Sequence, residues 1–143
     1  MASEDDIRAT SVRFYSALNR LLNGEAASMI EIWAHDPTVT TMHPIGDRQV
    51  GWDKVRQSWE QFAGIATGGE VSLRDQLITV AGEVAWERGV ERGQVDLAGD
   101  RLTVEQRVTN IYHRRPDGWK IVHHHSDPSP EMQSALNRLS GGR

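Results

Sequence analysis

The sequence contains no cysteine, carries no run of basic residues and has only two tyrosines and two phenylalanines. Without cysteine, disulfide scaffolds, thiolate metal sites and cysteine nucleophiles are excluded. The net charge of −4, from 16 Lys and Arg against 20 Asp and Glu, argues against a nucleic-acid-binding surface. No apolar run approaches the roughly 18–20 residues of a membrane-spanning helix, so we expect a cytoplasmic protein with no membrane partner.

What the sequence does contain is typical of one folded domain. Its 143 residues suffice for a single apolar core, and 38% of them are hydrophobic. Five tryptophans and a regular apolar periodicity supply the burial that disordered chains lack. We therefore expect one domain over residues 1–143, without internal repeats.

The apolar periodicity changes along the chain from helical to strand-like. Helical spacing predicts three N-terminal helices at 7–22, 26–33 and 52–63, with a short strand at 38–42 and a small terminal helix within 132–139. Alternating patterns separated by turn signals predict long strands at 70–80, 84–95, 102–114 and 119–126. Helices followed by a run of strands indicate an α+β fold, a cone-shaped roll in which the three helices pack on a curved antiparallel sheet.

Strand alternation assigns the histidines near the C-terminus to two faces. On the last strand Trp119 and Ile121 predict the inner face, and the alternation brings His123 and His125 to that face. His124 is then expected outside, at an interface or in solvent.

The two preceding strands are assigned in the same way. On 84–95 we place Trp86 inward together with Arg88, which leaves Glu87 and Glu91 outside; Arg88 would meet an anionic ligand or a carboxylate on a neighbouring strand. On 102–114 the less charged set faces inward: Val104, Gln106, Val108, Asn110 and Tyr112.

Helices that cap a curved sheet leave a hollow at the inner end of the cone. A mostly apolar cavity with a few polar groups is typical of small-molecule sites, so we expect a small apolar or aromatic ligand. The side chains predicted to face this hollow are Trp33, Trp59, Trp86, Trp119, His43, Asn110, His123 and His125.

Three segments resemble a known superfamily. Residues 33–39 (WAHDPTV) resemble the start of its first strand, and 43–46 (HPIG) followed by 51–53 (GWD) resemble the strand end and the start of the third helix. Residues 114–126 (RRPDGWKIVHHHS) are similar to the last hairpin of SnoaL-like proteins and of the calcium/calmodulin-dependent protein kinase II association domain. The superfamily is that of nuclear transport factor 2, ketosteroid isomerase and the SnoaL-like polyketide cyclases. Its fold hosts enzymes, binding modules and assembly domains alike.

The resemblance implies a site for proton transfer. His43 falls where ketosteroid isomerases keep their general-base aspartate, and Asn110 falls where they keep a protonated aspartate that donates to the oxyanion. Tyr15 lies in the helix that carries a tyrosine in those enzymes. We expect an isomerase, cyclase or dehydratase with a histidine base, or a non-catalytic binding or oligomerisation module in which His43 bonds a backbone carbonyl. The side chains expected to bind substrate are Tyr15, Trp33, Trp59, Trp86, Tyr112, His123 and His125.

Two further expectations concern metals and partners. His123 and His125 have a spacing used by metal sites, but no inward Asp or Glu completes the set, and the family is usually metal-free. We therefore expect no metal and no cofactor, with both rings lining the pocket. Ile111 and Val122 are expected on the outer sheet face, and in this family such a face implies a homodimer packed sheet to sheet.

Overall fold

A computed structural model describes residues 3–141 of the protein. In chain order its helices are α1 (Glu4–Leu22), α2 (Ala27–Ile32), α3 (Trp52–Ile65) and α4 (Pro130–Gly141). Its strands are β1 (Thr40–Met42), β2 (Gln49–Val50), β3 (Ala66–Ala81), β4 (Val84–Leu97), β5 (Asp100–Arg115) and β6 (Gly118–Ser126). Within the described residues, no helix is long and apolar enough to cross a membrane.

The strands form one curved sheet in the order β2-β1-β6-β5-β4-β3. All neighbours are antiparallel except β1 and β6, which run parallel. The α+β roll predicted from the sequence is therefore confirmed, whereas the parallel pair and the short strand β2 were not predicted. β3 begins at Ala66 rather than 70, since glycine lets it approach β4 closely there: a Cβ on Gly69 would lie 2.5 Å from the Gln94 carbonyl oxygen.

Helix α1 supplies much of the core that packs against this sheet. Ser3 caps its first turn in a capping box with Asp6. Phe14, Leu18 and Leu21 recur on one stripe of the helix and are buried. The inner end of the roll thus lies beneath α1 and α3.

Helix α4 covers the open end of the roll. Met132 and Ala135 are buried, and the helix contacts β4 and β5. The small terminal helix predicted from the sequence is confirmed and begins earlier, at Pro130, because Ser129 caps it through a bond from the Met132 amide to its hydroxyl.

A β-bulge changes the face of every residue near the end of β6. Tyr112 on β5 pairs with Ile121, as simple alternation requires. Ile111, the preceding residue of β5, pairs with His123, so β6 has one extra residue at Val122. An extra residue moves all following side chains to the opposite face.

The bulge makes the predicted faces of the three histidines wrong. His124 lies inside and is only 3% exposed, whereas His123 and His125 lie on the outer face of the sheet. The Nδ1 atom of His123 bonds the hydroxyl of Thr40 on the neighbouring strand β1, at 2.6 Å. The inward positions of Trp119 and Ile121, which precede the bulge, are confirmed.

The prediction for β4 is also wrong. Glu87 and Glu91 face the interior, with 0% and 2% of their surface exposed, while Trp86 and Arg88 lie on the outer face. Polar side chains on α1 and β5 bond both carboxyl groups, which compensates for the loss of hydration. Hydrophobicity therefore does not decide which face of β4 is buried.

Candidate functional site

A small cavity lies at the inner end of the roll, between α1, α3, α4 and the sheet. It encloses about 40 Å³, room for a few water molecules and well below the roughly 300–1,000 Å³ of most small-molecule sites. Most of its wall is apolar: Leu18, Leu22, Pro44, Trp59, Phe62, Val71, Val95, Val104 and Met132. The polar side chains in the wall are His43, Glu91, Gln106 and His124. Side chains therefore fill most of the predicted hollow.

His43 lines this cavity, and α3 fixes its ring. Ser58 donates its hydroxyl hydrogen to the Val55 carbonyl at 2.7 Å, so it accepts a hydrogen from His43 Nε2 at 2.9 Å. This pattern assigns the proton to Nε2 and leaves Nδ1 with the basic lone pair. The ring also stands edge-on to Trp59, with centroids 4.5 Å apart. Burial among these groups lowers the pKa of His43 to about 4.

A surface groove of about 360 Å³ adjoins the cavity at the same histidine. His43 and Pro44 line both spaces. Met132 faces the cavity and Gln133, the next residue of α4, faces the groove. The 43–44 segment and the first turn of α4 therefore separate the interior from a solvent-accessible space.

Behind the cavity wall, Asn110 joins groups from three elements. Its Nδ2 donates to Tyr15 Oη at 3.1 Å and to Glu87 Oε1 at 3.0 Å, and its Oδ1 lies 2.6 Å from His124 Nδ1. Tyr112 also donates to Glu87. Both amide hydrogens of Asn110 are thus engaged, and the direct donation to a ligand predicted from the sequence requires one of these bonds to break.

Glu91 is the acidic group of the cavity wall. It accepts hydrogen bonds from Tyr15 Oη and Gln106 Nε2, each at 2.9 Å, and lies 3.2 Å from the Ser126 hydroxyl. Burial raises the pKa of Glu91, and these hydrogen bonds only partly offset it. Burial likewise lowers the pKa of His124 and raises those of Tyr15 and Tyr112, so the neutral forms of these three groups are favoured.

The predicted site residues separate into three groups. His43 and Trp59 line the cavity. Tyr15, Asn110 and Tyr112 belong to the network behind its wall, and Trp33 is buried in the core near Trp59, at a centroid distance of 6.3 Å. The remaining three side chains, predicted to bind substrate, lie on the outer face of the sheet and not in the interior: Trp86, His123 and His125.

Most cavity residues had no predicted role in the site, among them Glu91, His124 and Met132. The signal for Glu91 was its cross-strand partner, because Gln106 lies directly opposite and was predicted to face inward. No comparable signal marked His124, whose position depends on the bulge. Among residues 3–141, no group of three or more His, Asp or Glu side chains could hold a metal ion.

Comparisons with known proteins agree on the fold. A proposed dehydratase of the nuclear transport factor 2-like family from Streptomyces avermitilis superposes with a TM-score of 0.77 at 22% identity, covering 89% of this chain and 96% of that one. A proposed ketosteroid isomerase from Shewanella frigidimarina gives 0.66 at 18% identity, with 83% and 92% covered. A proposed calcium/calmodulin-dependent protein kinase type II association domain from Thiobacillus denitrificans gives 0.66 at 25%, with 85% and 94% covered.

The sequence comparisons identify one family. No curated protein matches the chain. The family model described as SnoaL-like domain matches residues 7–129, which include every helix and strand of the roll except α4 and the first turn of α1. With the fold and the family model in agreement, the chain belongs to the SnoaL-like domain family, within the nuclear transport factor 2-like fold.

Proposed function

We propose that this protein binds a small apolar or aromatic molecule beside His43 and moves a proton on it, as an isomerase, cyclase or dehydratase does. One observation carries the proposal: a basic imidazole and a carboxyl group line the same apolar cavity. The opposite pKa shifts of His43 and Glu91 support it, because such pairs separate the roles of base and acid.

His43 is the base of this proposal. With its Nε2 hydrogen held by Ser58, the Nδ1 lone pair is available to take a proton from a carbon atom of the ligand. The electron pair of the broken C–H bond forms a double bond to the adjacent carbon. The oxygen on that carbon either takes the carbonyl π electrons and becomes an enolate oxygen, or departs with the electrons of its C–O bond. Gln106 and Glu91 are the polar groups in the wall that can bond this oxygen.

The ligand needs more room than the 40 Å³ of this cavity. The groove beyond His43 has the missing volume, and Met132 on α4 lines the cavity next to Gln133, which lines the groove. We infer that displacement of the first turn of α4 joins the two spaces into one site. A conformational step of this kind excludes water from the base when the helix returns.

A generic substrate tests the base without knowledge of the natural one. 5-Nitrobenzisoxazole is a flat bicyclic molecule; removal of its ring C–H proton breaks the N–O bond and gives a coloured phenolate. We expect the wild type to open this ring faster than buffer does, and His43→Ala to lower the excess rate by roughly 100-fold or more. His35→Ala, at an exposed ring outside the cavity wall, is the control and keeps the wild-type rate.

The same experiment tests the non-catalytic alternative. The small volume of the cavity favours a module that only binds or assembles. Equal rates for the wild type and His43→Ala contradict the enzymatic proposal. Saturable binding of the probe without ring opening would assign the chain to the binding class.

A further inference from the structure

Ser126 forms a bridge between two buried titratable side chains. Its Oγ lies 3.2 Å from Glu91 Oε1 and 3.2 Å from His124 Nε2. All three side chains are almost completely buried; Glu91 lies on β4, and Ser126 and His124 lie on β6. A serine hydroxyl has one hydrogen, so it can donate to only one of its two neighbours.

Asn110 fixes the other nitrogen of His124. Asn110 Nδ2 donates its two hydrogens to Tyr15 Oη and Glu87 Oε1. The atom that faces His124 is therefore the amide oxygen, Oδ1, which can only accept a hydrogen bond. Therefore His124 Nδ1 carries a hydrogen and donates it over 2.6 Å. Whether His124 Nε2 also carries a hydrogen depends on its bond with Ser126.

The bridge requires one proton more than Ser126 provides. Two gaps, from Glu91 to Ser126 and from Ser126 to His124, each need a hydrogen between their heavy atoms. If Glu91 were ionised and His124 neutral, two lone pairs would face each other across one gap. Such an unpaired buried acceptor costs about 1–3 kcal/mol. The second hydrogen therefore comes from a carboxylic acid at Glu91 or from an imidazolium at His124.

The surroundings decide between these two forms. The titratable groups that face the pair are Tyr15 on α1, Glu87 on β4, Tyr112 on β5 and His43 after β1, with His123 and His125 flanking His124 on β6. Among the described residues, no lysine or arginine bonds Glu91 or His124. A buried ion pair without further charged partners costs more desolvation than a neutral pair, so the neutral form is favoured.

We infer that Glu91 and His124 share one proton through Ser126, and that this proton resides on Glu91 as a carboxylic acid at the cavity wall. This inference deepens the proposed function, on which its catalytic meaning rests. Glu91 then supplies the proton that a ligand oxygen takes up while His43 removes one from carbon. Ser126 and His124 are positioning residues, which hold the acidic hydrogen toward Ser126 until a ligand competes for it. The raised pKa of Glu91 and the lowered pKa of His124 agree with this form.

Infrared difference spectroscopy on the full chain at pH 7, without ligand, tests where the proton lies. We expect Glu91→Gln minus wild type to show the loss of a protonated-carboxyl C=O band. Glu70→Gln, at an exposed glutamate of β3, is the control and loses carboxylate bands instead. Loss of carboxylate bands in Glu91→Gln overturns the inference.

A second readout needs no substitution, in case Glu91→Gln fails to fold. In ¹⁵N NMR of the wild-type imidazoles, we expect His124 with one protonated nitrogen, Nδ1, unchanged between pH 5 and 8. An imidazolium with both nitrogens protonated in that range overturns the inference. Neither readout involves turnover. Failure of the His43→Ala experiment therefore refutes the proposed function and leaves the proton assignment standing, and the reverse holds equally.

Discussion

The imidazole of His43 packs against the indole of Trp59 with the two ring planes at 80°. Ser58, the neighbouring residue of α3, accepts a hydrogen bond from His43 Nε2. Two consecutive helix residues thus hold both the position and the tautomer of the ring. A base fixed in this way keeps the same nitrogen available in every encounter with a ligand, which lowers the entropy cost of proton transfer.

Folding stability should fall as the pH drops from about 6.5 toward 4. The folded pKa of His43 is about 4, below the roughly 6.5 of an unfolded histidine, so only the unfolded chain binds a proton in this window. His43 alone accounts for up to about 3 kcal/mol of this loss, and His124 adds to it. Glu91 opposes it, because its raised pKa favours the folded state at low pH.

Urea unfolding at several pH values measures this slope. His43→Gln removes the titrating ring, so its free energy of unfolding should change less with pH between 4 and 6.5 than that of the wild type. A slope identical to that of the wild type would show that His43 is not held neutral in the folded protein.

Asn110→Asp should destabilise the protein strongly at neutral pH. The new carboxylate oxygen replaces Nδ2, the donor to Glu87 and Tyr15, and faces Glu87 Oε1 at about the 3.0 Å of the lost bond. We expect a loss on the order of 3 kcal/mol at pH 7 that shrinks as the pH is lowered and the new carboxyl takes up a proton. Asn137→Asp, at an exposed position of α4, should cost less than about 0.5 kcal/mol in the same unfolding assay. Equal effects for the two variants would contradict the central position of Asn110.

Met132→Ala should enlarge the cavity from the side of α4. Met132 is 3% exposed and lines the cavity, so we expect a loss of about 2–5 kcal/mol in the free energy of unfolding. Dissolved benzene should raise the melting temperature of this variant more than that of the wild type, since apolar cavities bind such molecules. Leu139→Ala, on an exposed part of the same helix, should show neither effect. A variant indifferent to benzene would argue against α4 as the cover of the cavity.

The homodimer stays a prediction, and we propose the outer sheet face as its contact. Leu77 is 60% exposed there, and Arg88 lies directly opposite it on β4. Leu77, Arg88 and the exposed Asp75 line one groove on this face, which a second copy would cover. Light scattering should give a dimeric mass for the wild type and a monomeric one for Leu77→Glu. Val12→Glu, at a 69% exposed position of α1, should stay dimeric. A monomeric wild type would refute the proposal.

The buried glutamates could have been predicted from the β4–β5 turn. A two-residue loop at Ala98 and Gly99 makes Leu97 and Asp100 partners, which places Glu87 opposite Asn110. Directly opposite residues share a face, so the inward prediction for Asn110 required an inward Glu87. Ranking β4 by hydrophobicity alone gave Trp86 the wrong face because the interior of this roll contains a polar network.

The position of His124 was beyond the reach of the sequence. Periodicity predicted the helices and the long strands, and resemblance predicted that His43 faces the interior. The turn before β6 sets the β5–β6 register, which is regular as far as Ile121. No local sequence signal marks the bulge at Val122, because β-branched residues are also common in regular strands. That single insertion decides which histidine faces the cavity.

The pH dependence of 5-nitrobenzisoxazole opening tests most directly whether His43 is a base inside the cone. We predict an excess rate that rises through pH 4, where the ring loses its proton, and stays level to pH 8. The rise should vanish in His43→Gln. A midpoint near the pKa of a solvated histidine, or the same profile in His43→Gln as in the wild type, would contradict the role of His43 as a buried base.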